Sequence, residues 1–305
     1  KAESIYNLGY ALTRYIAEKY GENKLREITD NLGDLGNFSV DRAIEKSLGK
    51  DGKTLYNEWK TYLENDYDLR LLDVKKDKIE GDIIEKEGFA NYYPQFSPDG
   101  KKIAYLSNQE YDYGATGLMI YDLKSKKSKG ATSPISTNFS WSPDSKKIIY
   151  AKRNSPATLY GTVIYDLYEY DIKSDEEKQL TEDLRAFSPS YSPDGKSIVF
   201  IVNKDGTLNL RIGDNQGKNV KPLTSFNNGE QVYNPKFSSD GKKILFDYAY
   251  EEYRKLASID VSSGEMEFIL DEKGIDYRSP VMSRDGKKLY YASNKTGIFN
   301  IYSLD

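Results

Sequence analysis

The sequence predicts a mainly β protein, a β-propeller of four-stranded blades, with a small all-α segment at its N-terminus. An element typified by YPQFSPDGKKIAYLS occurs five times, anchored on Ser97, Ser142, Ser192, Ser238 and Ser283. The intervals of 45, 50, 46 and 45 residues, with several short strands in each, are typical of one propeller blade per repeat. The 27 tyrosines favour the same class, because aromatic side chains suit pleated sheets.

The residue inventory argues against several kinds of site. The 305 residues include no histidine and no cysteine, so the chain by itself can form no Ser-His-Asp triad, histidine-ligated metal site or thiolate nucleophile. The net charge of -4 does not favour nucleic acid as a partner. No apolar run approaches the roughly 20 residues that span a bilayer. We therefore expect no catalytic residue, cofactor, metal or membrane span in this chain.

Residues 1–66 predict four short amphipathic helices. Gly21 and Gly49 are placed to end the first and third helices, and Ser39 to cap the third. The first helix has an apolar face made by Ile5, Leu8, Leu12, Tyr15 and Ile16. The fourth has a stripe made by Leu55, Trp59, Tyr62 and Leu63. The chain starts within a helical pattern and without methionine, so we expect further residues upstream.

Residues 67–80 are highly charged and are predicted to be a connector, and residues 81–305 to be the propeller. In each repeat a short strand ends at the anchor serine, a Pro-Asp-Gly turn follows, and a second alternating strand begins. In Ser97-Pro98-Asp99-Gly100, proline and aspartate suit the two central turn positions and glycine the left-handed one. Ser145 replaces this glycine in the second repeat, which predicts a slightly strained turn.

The number of blades stays open between five and six. Five repeats are present, and the fifth supplies three strands before residue 305. Residues 81–86 (GDIIEK) align with the outer strand that begins at Met266, so they suggest a strand that completes the fifth blade and closes the ring. The alternative is a larger ring of which this chain is a part.

The repeated F/Y/W-S-P-D-G-K-K-I-x-Y/F element resembles the TolB-like, WD40-like propeller repeats of bacterial proteins over residues 89–305. The resemblance implies a periplasmic or otherwise extracytoplasmic propeller, often with six blades, that contacts a protein or peptide. The oligomeric state does not follow from it.

The helical segment is similar to the end of gluzincin-type metallopeptidase domains. The similar stretches are YNLGYALTRYIAEKYGENKLREI and AIEKSLGKDGKTLYNEWKTYL. Those peptidases carry a His-Glu-x-x-His zinc helix, which a chain without histidine lacks. The resemblance implies that this chain is at most a non-catalytic part of a larger zinc peptidase.

Candidate partner-binding residues lie just before the first strand of each repeat, where a propeller chain approaches the central channel. Four repeats place a proline three residues before the anchor serine. The candidates near it are Tyr92, Arg185, Phe187, Tyr233 and Arg278. Aromatic and arginine side chains dominate binding hot spots. The alternative is that the aromatic rings pack between blades.

Other acidic or aromatic features have structural interpretations. The five turn aspartates (Asp99, Asp144, Asp194, Asp240 and Asp285) occupy the turn position that favours aspartate. The loops at 108–117 and 203–209 lack the spacing of calcium loops and are expected to be hairpin tips. Tyrosine clusters at 160–170 and 247–255 are expected to be strand faces. The sequence thus predicts a protein- or peptide-binding module, with the non-catalytic peptidase part as the alternative.

Overall fold

The computed structural model describes residues 2–34, 36, 38–76, 78, 81–109, 115–135, 137–153 and 164–305. The chain divides into two compact units, Lys1–Ile83 and Ile84–Asp305. The first is helical and the second is built from β-sheets, which confirms the predicted fold class. None of the described helices is long and apolar enough to cross a bilayer.

Within its described residues, the helical unit contains the four helices predicted for residues 1–66 and a short fifth helix after them. They are α1 (Ala2–Tyr20), α2 (Asn23–Gly33), α3 (Val40–Leu48), α4 (Gly52–Arg70) and α5 (Leu72–Lys76). The predicted ends are confirmed: Gly21 and Gly49 are left-handed (φ +96 and +71), and the Ser39 hydroxyl accepts a hydrogen bond from the Arg42 amide. Helices cover most of the described part of 67–80, where a connector was expected. An Arg70–Asp66 ion pair one helical turn apart stabilises this extension.

The core of the helical unit lies where α1 meets α4. Tyr15, Ile16, Leu55 and Trp59 are buried together. Ile5 and Leu8, predicted on the same face of α1, are 69% and 51% exposed. The first residue of α1 that packs against this cluster is Ala11, so the first turns of α1 are not part of it.

The second unit contains five antiparallel sheets in chain order, which we call blades 1 to 5. Blade 1 is formed by β1 (Asn91–Phe96), β2 (Lys102–Ser107), β3 (Gly117–Asp122) and β4 (Lys127–Thr132). Blade 2 is formed by β5 (Ser140–Trp141), β6 (Lys147–Arg153), β7 (Tyr165–Asp171) and β8 (Glu176–Gln179). Blade 3 is formed by β9 (Ala186–Tyr191), β10 (Ser197–Lys204), β11 (Thr207–Asp214) and β12 (Lys221–Pro222). Blade 4 is formed by β13 (Gln231–Phe237), β14 (Lys243–Ala249), β15 (Arg254–Asp260) and β16 (Met266–Leu270), and blade 5 by β17 (Tyr277–Met282), β18 (Leu289–Ser293) and β19 (Asn300–Leu304).

Every blade starts with the predicted turn between its first two strands. In blade 1 the Ser97 hydroxyl donates to Asp99 Oδ1 at 2.7 Å, and the Gly100 amide donates to the Ser97 carbonyl at 2.8 Å. Gly100 has the predicted left-handed backbone (φ +70). Ser145 is left-handed as well (φ 61), which is unfavourable for a residue other than glycine. Its hydroxyl offsets part of this cost by accepting a hydrogen bond from the Asp99 amide of blade 1 at 3.0 Å.

Four hydrophobic clusters join consecutive blades, from blades 1 and 2 to blades 4 and 5. Among the described residues, no such cluster joins blade 5 to blade 1. Arg284 of blade 5 donates to the Pro98 carbonyl of blade 1 at 3.5 Å. The suggested outer strand at 81–86 is not formed, and blade 5 has three strands. Glu85 instead accepts hydrogen bonds from Tyr105 and Ser128 of blade 1, which ties this segment to a different blade.

Equivalent positions show that the two end blades each expose a face. The third strands of blades 1 to 4 bury one leucine completely at the same register: Leu118, Leu167, Leu210 and Leu256. The equivalent residue of blade 5, Ile301, is 81% exposed. On blade 1, Phe96 is 64% exposed, whereas the equivalent Trp141 is 6% exposed because it packs against blade 1.

Candidate functional site

The first strands of the blades share an irregularity next to their prolines. In blades 1, 3, 4 and 5 the pairing with the second strand shifts by one residue at this point. The residue before each proline has a left-handed backbone: Tyr93, Ser188, Asn234 and Ser279. Proline donates no hydrogen bond and is therefore suited to a bulge. A bulge re-aims neighbouring side chains, so it sets the direction of the residues just before it.

The five predicted site residues lie at one end of the propeller. Tyr92, Phe187, Tyr233 and Arg278 are near the starts of β1, β9, β13 and β17, and Arg185 directly precedes β9. The opposite ends of the first strands line one common cavity, so the strands run in the same direction around it. We call the end that carries the five residues the strand-start face.

Two of these five residues are freely accessible. Tyr92 is 53% exposed, and its ring centre is 6.4 Å from that of Tyr93. Arg185 is exposed, and its backbone is left-handed (φ 53). A left-handed non-glycine residue stores strain, and such residues occur at sites where the chain must be held in one conformation.

The two aromatic candidates of blades 3 and 4 contribute to packing. Phe187 contacts the clusters on both sides of blade 3, and Tyr233 contacts the cluster between blades 3 and 4. The guanidinium carbon of Arg254 lies 3.8 Å from the centre of the Tyr233 ring, a close cation–π contact. Both rings are half-buried, as the packing alternative has it.

Arg278 is fixed between an acid and a ring. Its Nη2 donates to Asp276 Oδ2 at 2.7 Å, and its guanidinium carbon is 4.6 Å from the centre of the Phe299 ring. The Arg254 amide donates to the other oxygen of Asp276 at 2.8 Å. Burial alone would raise the pKa of Asp276, but these two donors lower it below its usual value. Nε of Arg278 is buried and has no partner among the described residues.

Asp247 connects this cluster to blade 4. Its Oδ1 accepts from the Ser279 amide at 2.8 Å, and its Oδ2 accepts from Asn234 at 3.0 Å and from Arg254 at 3.4 Å. The side chain is fully buried, and burial raises the pKa of Asp247 to about 7 despite these donors. The structure thus brings Tyr233 and Arg278 into one network.

Arg254, Asp247 and Asp276 are not among the residues predicted from the sequence. A signal for Asp247 exists in the repeat: the same strand position holds Leu106, Ala151 and Ile201 in the preceding blades. A carboxylate at a position that is apolar and buried in the preceding blades is unfavourable unless a partner pairs with it. Arg254 and Asp276 lie outside the repeated element, so no comparison between repeats singles them out.

The opposite ends of the first strands surround an open cavity of about 700 Å³, which we call the turn-end cavity. All five blades line it with the ends of their first strands and the following turns. Its walls include Trp141, Phe237, Val281 and Met282, together with the cationic side chains of Lys236 and Arg284.

The turn aspartates act as predicted in the turns themselves. Each accepts a hydrogen bond from its anchor serine hydroxyl at 2.6 to 2.7 Å. In the part of the chain that the structure describes, no three acidic side chains are grouped as metal ligands. The loop at 203–209 is a tight hairpin tip with left-handed Asp205 and Gly206. Residues 110–114 of the loop at 108–117, and residues 160–163 of the tyrosine cluster, lie outside the described residues.

Comparison with known proteins identifies the family. A family model described as "TolB beta propeller domain" matches residues 52–305. Among curated proteins, "Uncharacterized peptidase YuxL" of Bacillus subtilis is 29% identical over 212 residues, 67% of this chain and 29% of its own length. "Tol-Pal system protein TolB" of Francisella tularensis is 27% identical over 209 residues, 67% of this chain and 45% of its own length. This chain thus spans less than half the length of either relative.

A solved structure has the same fold. The crystal structure of TolB from Acinetobacter baumannii superimposes with a TM-score of 0.58 over 71% of this chain and 52% of that chain, at 23% identity. The five repeated blades, their serine-anchored turns and the family match agree. The chain belongs to the TolB beta propeller domain family.

Proposed function

We propose that the chain is a protein- or peptide-binding propeller that acts outside the cytoplasm, and that its partner contacts the strand-start face. The arginine cluster between blades 4 and 5 supports this proposal most. Arg278 is held rigidly by Asp276 and Phe299, while its buried Nε has no partner among the described residues. A pre-positioned guanidinium binds a carbonyl or carboxylate with little loss of side-chain entropy.

Two accessible side chains at the same end of the propeller also suit a protein partner. Tyr92 and Arg185 are exposed at the same end, and tyrosine and arginine are enriched in binding hot spots. The net charge of -4 disfavours nucleic acid. The location outside the cytoplasm rests on the resemblance to TolB-like propellers.

The test begins with peptides selected from a random library on the immobilised full chain. The double variant Arg185→Ala with Arg278→Ala is expected to bind the selected peptide at least about tenfold more weakly, because it removes two hot-spot arginines. The matched control is Arg211→Ala, which removes a half-buried arginine from the third strand of blade 3. Unchanged affinity in the double variant, or failure to select any peptide, would contradict the proposal.

The alternative is that the chain is the non-catalytic part of a larger peptidase whose propeller gates or presents substrate. One relative is itself called a peptidase, and the matched region is 29% of its length. The similarity of the helical unit to the end of gluzincin-type domains favours the same alternative. The gene sequence upstream of Lys1 decides: a His-Glu-x-x-His motif supports the peptidase, and a signal peptide running directly into this chain contradicts it.

A further inference from the structure

The described lining of the turn-end cavity contains two basic residues. It lies at the other end of the first strands from the strand-start face. Lys236 of blade 4 and Arg284 of blade 5 both line it, and no aspartate or glutamate is among its described lining residues. The turn aspartates are engaged in their own turns; Asp285, for example, accepts from Ser283 and from the Lys287 amide.

Lys236 is the only charged residue at its position in the five repeats. The equivalent position, two residues before the anchor serine, holds Gln95, Ser140, Ser190 and Val281 in the other blades. The lysines at the starts of second strands have acidic partners, as in Lys147–Glu169 at 2.7 Å. Within the described part of the chain, the side chain of Lys236 has neither an ion pair nor a hydrogen bond. The side chain is half-buried, and burial lowers its pKa to about 8, so it is still mostly charged at neutral pH.

A half-buried cation without a partner is unfavourable, and an anion in the cavity would remove the penalty. Arg284 supplies a second cation from the neighbouring blade. It stands where the other blades have Pro98, Pro143, Pro193 and Ser239, and its Nη1 donates only a long 3.5 Å bond to the Pro98 carbonyl. The guanidinium therefore retains donors for a further acceptor.

The cavity wall also contains large apolar side chains, besides serines from the strands and turns. Trp141, Phe237, Val281 and Met282 line it beside the two cations. We infer that the turn-end cavity binds a carboxylate attached to an apolar side chain, as in the C-terminal residue of a peptide, with Lys236 and Arg284 holding the carboxylate. This site is independent of the strand-start face, so each can fail without the other.

The test uses N-acetyl-leucine, which carries both features, and N-acetyl-leucinamide, which lacks the carboxylate. Trp141 lines the cavity and the other tryptophan, Trp59, lies in the helical unit, so fluorescence in a Trp59→Phe background reports the site. We expect saturable binding of the acid in the millimolar range and at least about tenfold weaker binding of the amide. Lys236→Met, which keeps the volume and removes the charge, should lose about tenfold in affinity, and Arg284→Gln somewhat less. Lys243→Met removes a lysine that is paired with Glu267 instead and should have no effect.

Two further probes identify the source of the carboxylate. N-acetyl-glutamic acid α-amide presents a side-chain carboxylate, and inorganic phosphate presents an anion without an apolar group. Both should bind more weakly than N-acetyl-leucine if the cavity takes a C-terminal residue. Equal binding of acid and amide, unchanged affinity in a folded Lys236→Met variant, or tighter binding of phosphate would each overturn the inference.

Discussion

Leu256 and Ile301 occupy the same position in consecutive blades but opposite environments. Leu256 pairs with Asp247 and is fully buried against blade 5, whereas Ile301 pairs with Ala292 and is 81% exposed. The apolar side chain at this position is therefore packed in the interface with the next blade on blade 4, and is exposed to solvent on blade 5.

The two residues should therefore differ in their contribution to stability. Leu256→Ala removes buried methyl groups and leaves a cavity, which should lower the free energy of unfolding by about 2 to 5 kcal/mol. Ile301→Ala should change it by about 0.5 kcal/mol, because surface substitutions have small effects. Urea unfolding of both variants measures the difference. Equal losses would show that the Ile301 face is covered in solution.

Ser145 combines backbone strain with an inter-blade hydrogen bond, and two substitutions separate them. Ser145→Ala keeps the left-handed backbone and loses the bond to the Asp99 amide, whereas Ser145→Gly loses the bond but relieves the strain. We expect the alanine variant to be less stable than the glycine variant by about 1 kcal/mol. Gly100→Ala is the control, since it adds strain without any contact within 4 Å. An alanine variant at 145 as stable as the glycine variant would contradict this account of the turn.

The turn aspartates should stabilise the protein less as the pH falls. The Ser238 hydroxyl and the Lys242 amide lower the pKa of Asp240 below its usual value, so the folded state holds fewer protons than the unfolded state. This stability is present above the unfolded pKa, near 4, and is lost as the pH falls through the folded value. Asp240→Asn keeps an oxygen acceptor and does not titrate, so its urea midpoint should fall less than that of the wild type between about pH 5 and about pH 3. Equal decreases in the urea midpoints of the two proteins would contradict this prediction.

The contribution of Asp247 to stability should depend on pH in the opposite direction. Its folded pKa of about 7 lies above the unfolded value, so the folded state holds more protons between them, and its contribution weakens as pH rises from about 4 to about 7. Asp247→Asn retains an acceptor for the Ser279 amide without the buried charge. The melting temperature of this variant relative to wild type should therefore be higher at about pH 8 than at about pH 5. A difference that does not change with pH would show that Arg254 keeps Asp247 ionised throughout.

The blades could be predicted from the repeated element, whereas the features outside it could not. Serine, aspartate and glycine at fixed turn positions dictate local geometry, so the turns and the left-handed Ser145 followed from sequence. The junction between blades 5 and 1 could not be predicted, because the similarity between 81–86 and an outer strand does not determine which blade Glu85 contacts. Asp247 differs from the apolar residues at the equivalent positions of blades 1 to 3, but its partners Arg254 and Asp276 lie outside the repeated element, and one sequence does not show which charges pair over long range. Lys236 could have been identified as a candidate from the sequence, because it is the only charged residue two positions before an anchor serine.

The most direct test of the proposed function is hydrogen–deuterium exchange of the full chain with and without a peptide selected on it. Binding at the strand-start face predicts slower exchange at the amides of residues 91–93, 185–188, 233–234 and 277–279. The other strands of the blades should exchange at unchanged rates. Slower exchange confined to the helical unit, or to the exposed faces of blades 1 and 5, would contradict the proposal that the partner binds at this end of the channel.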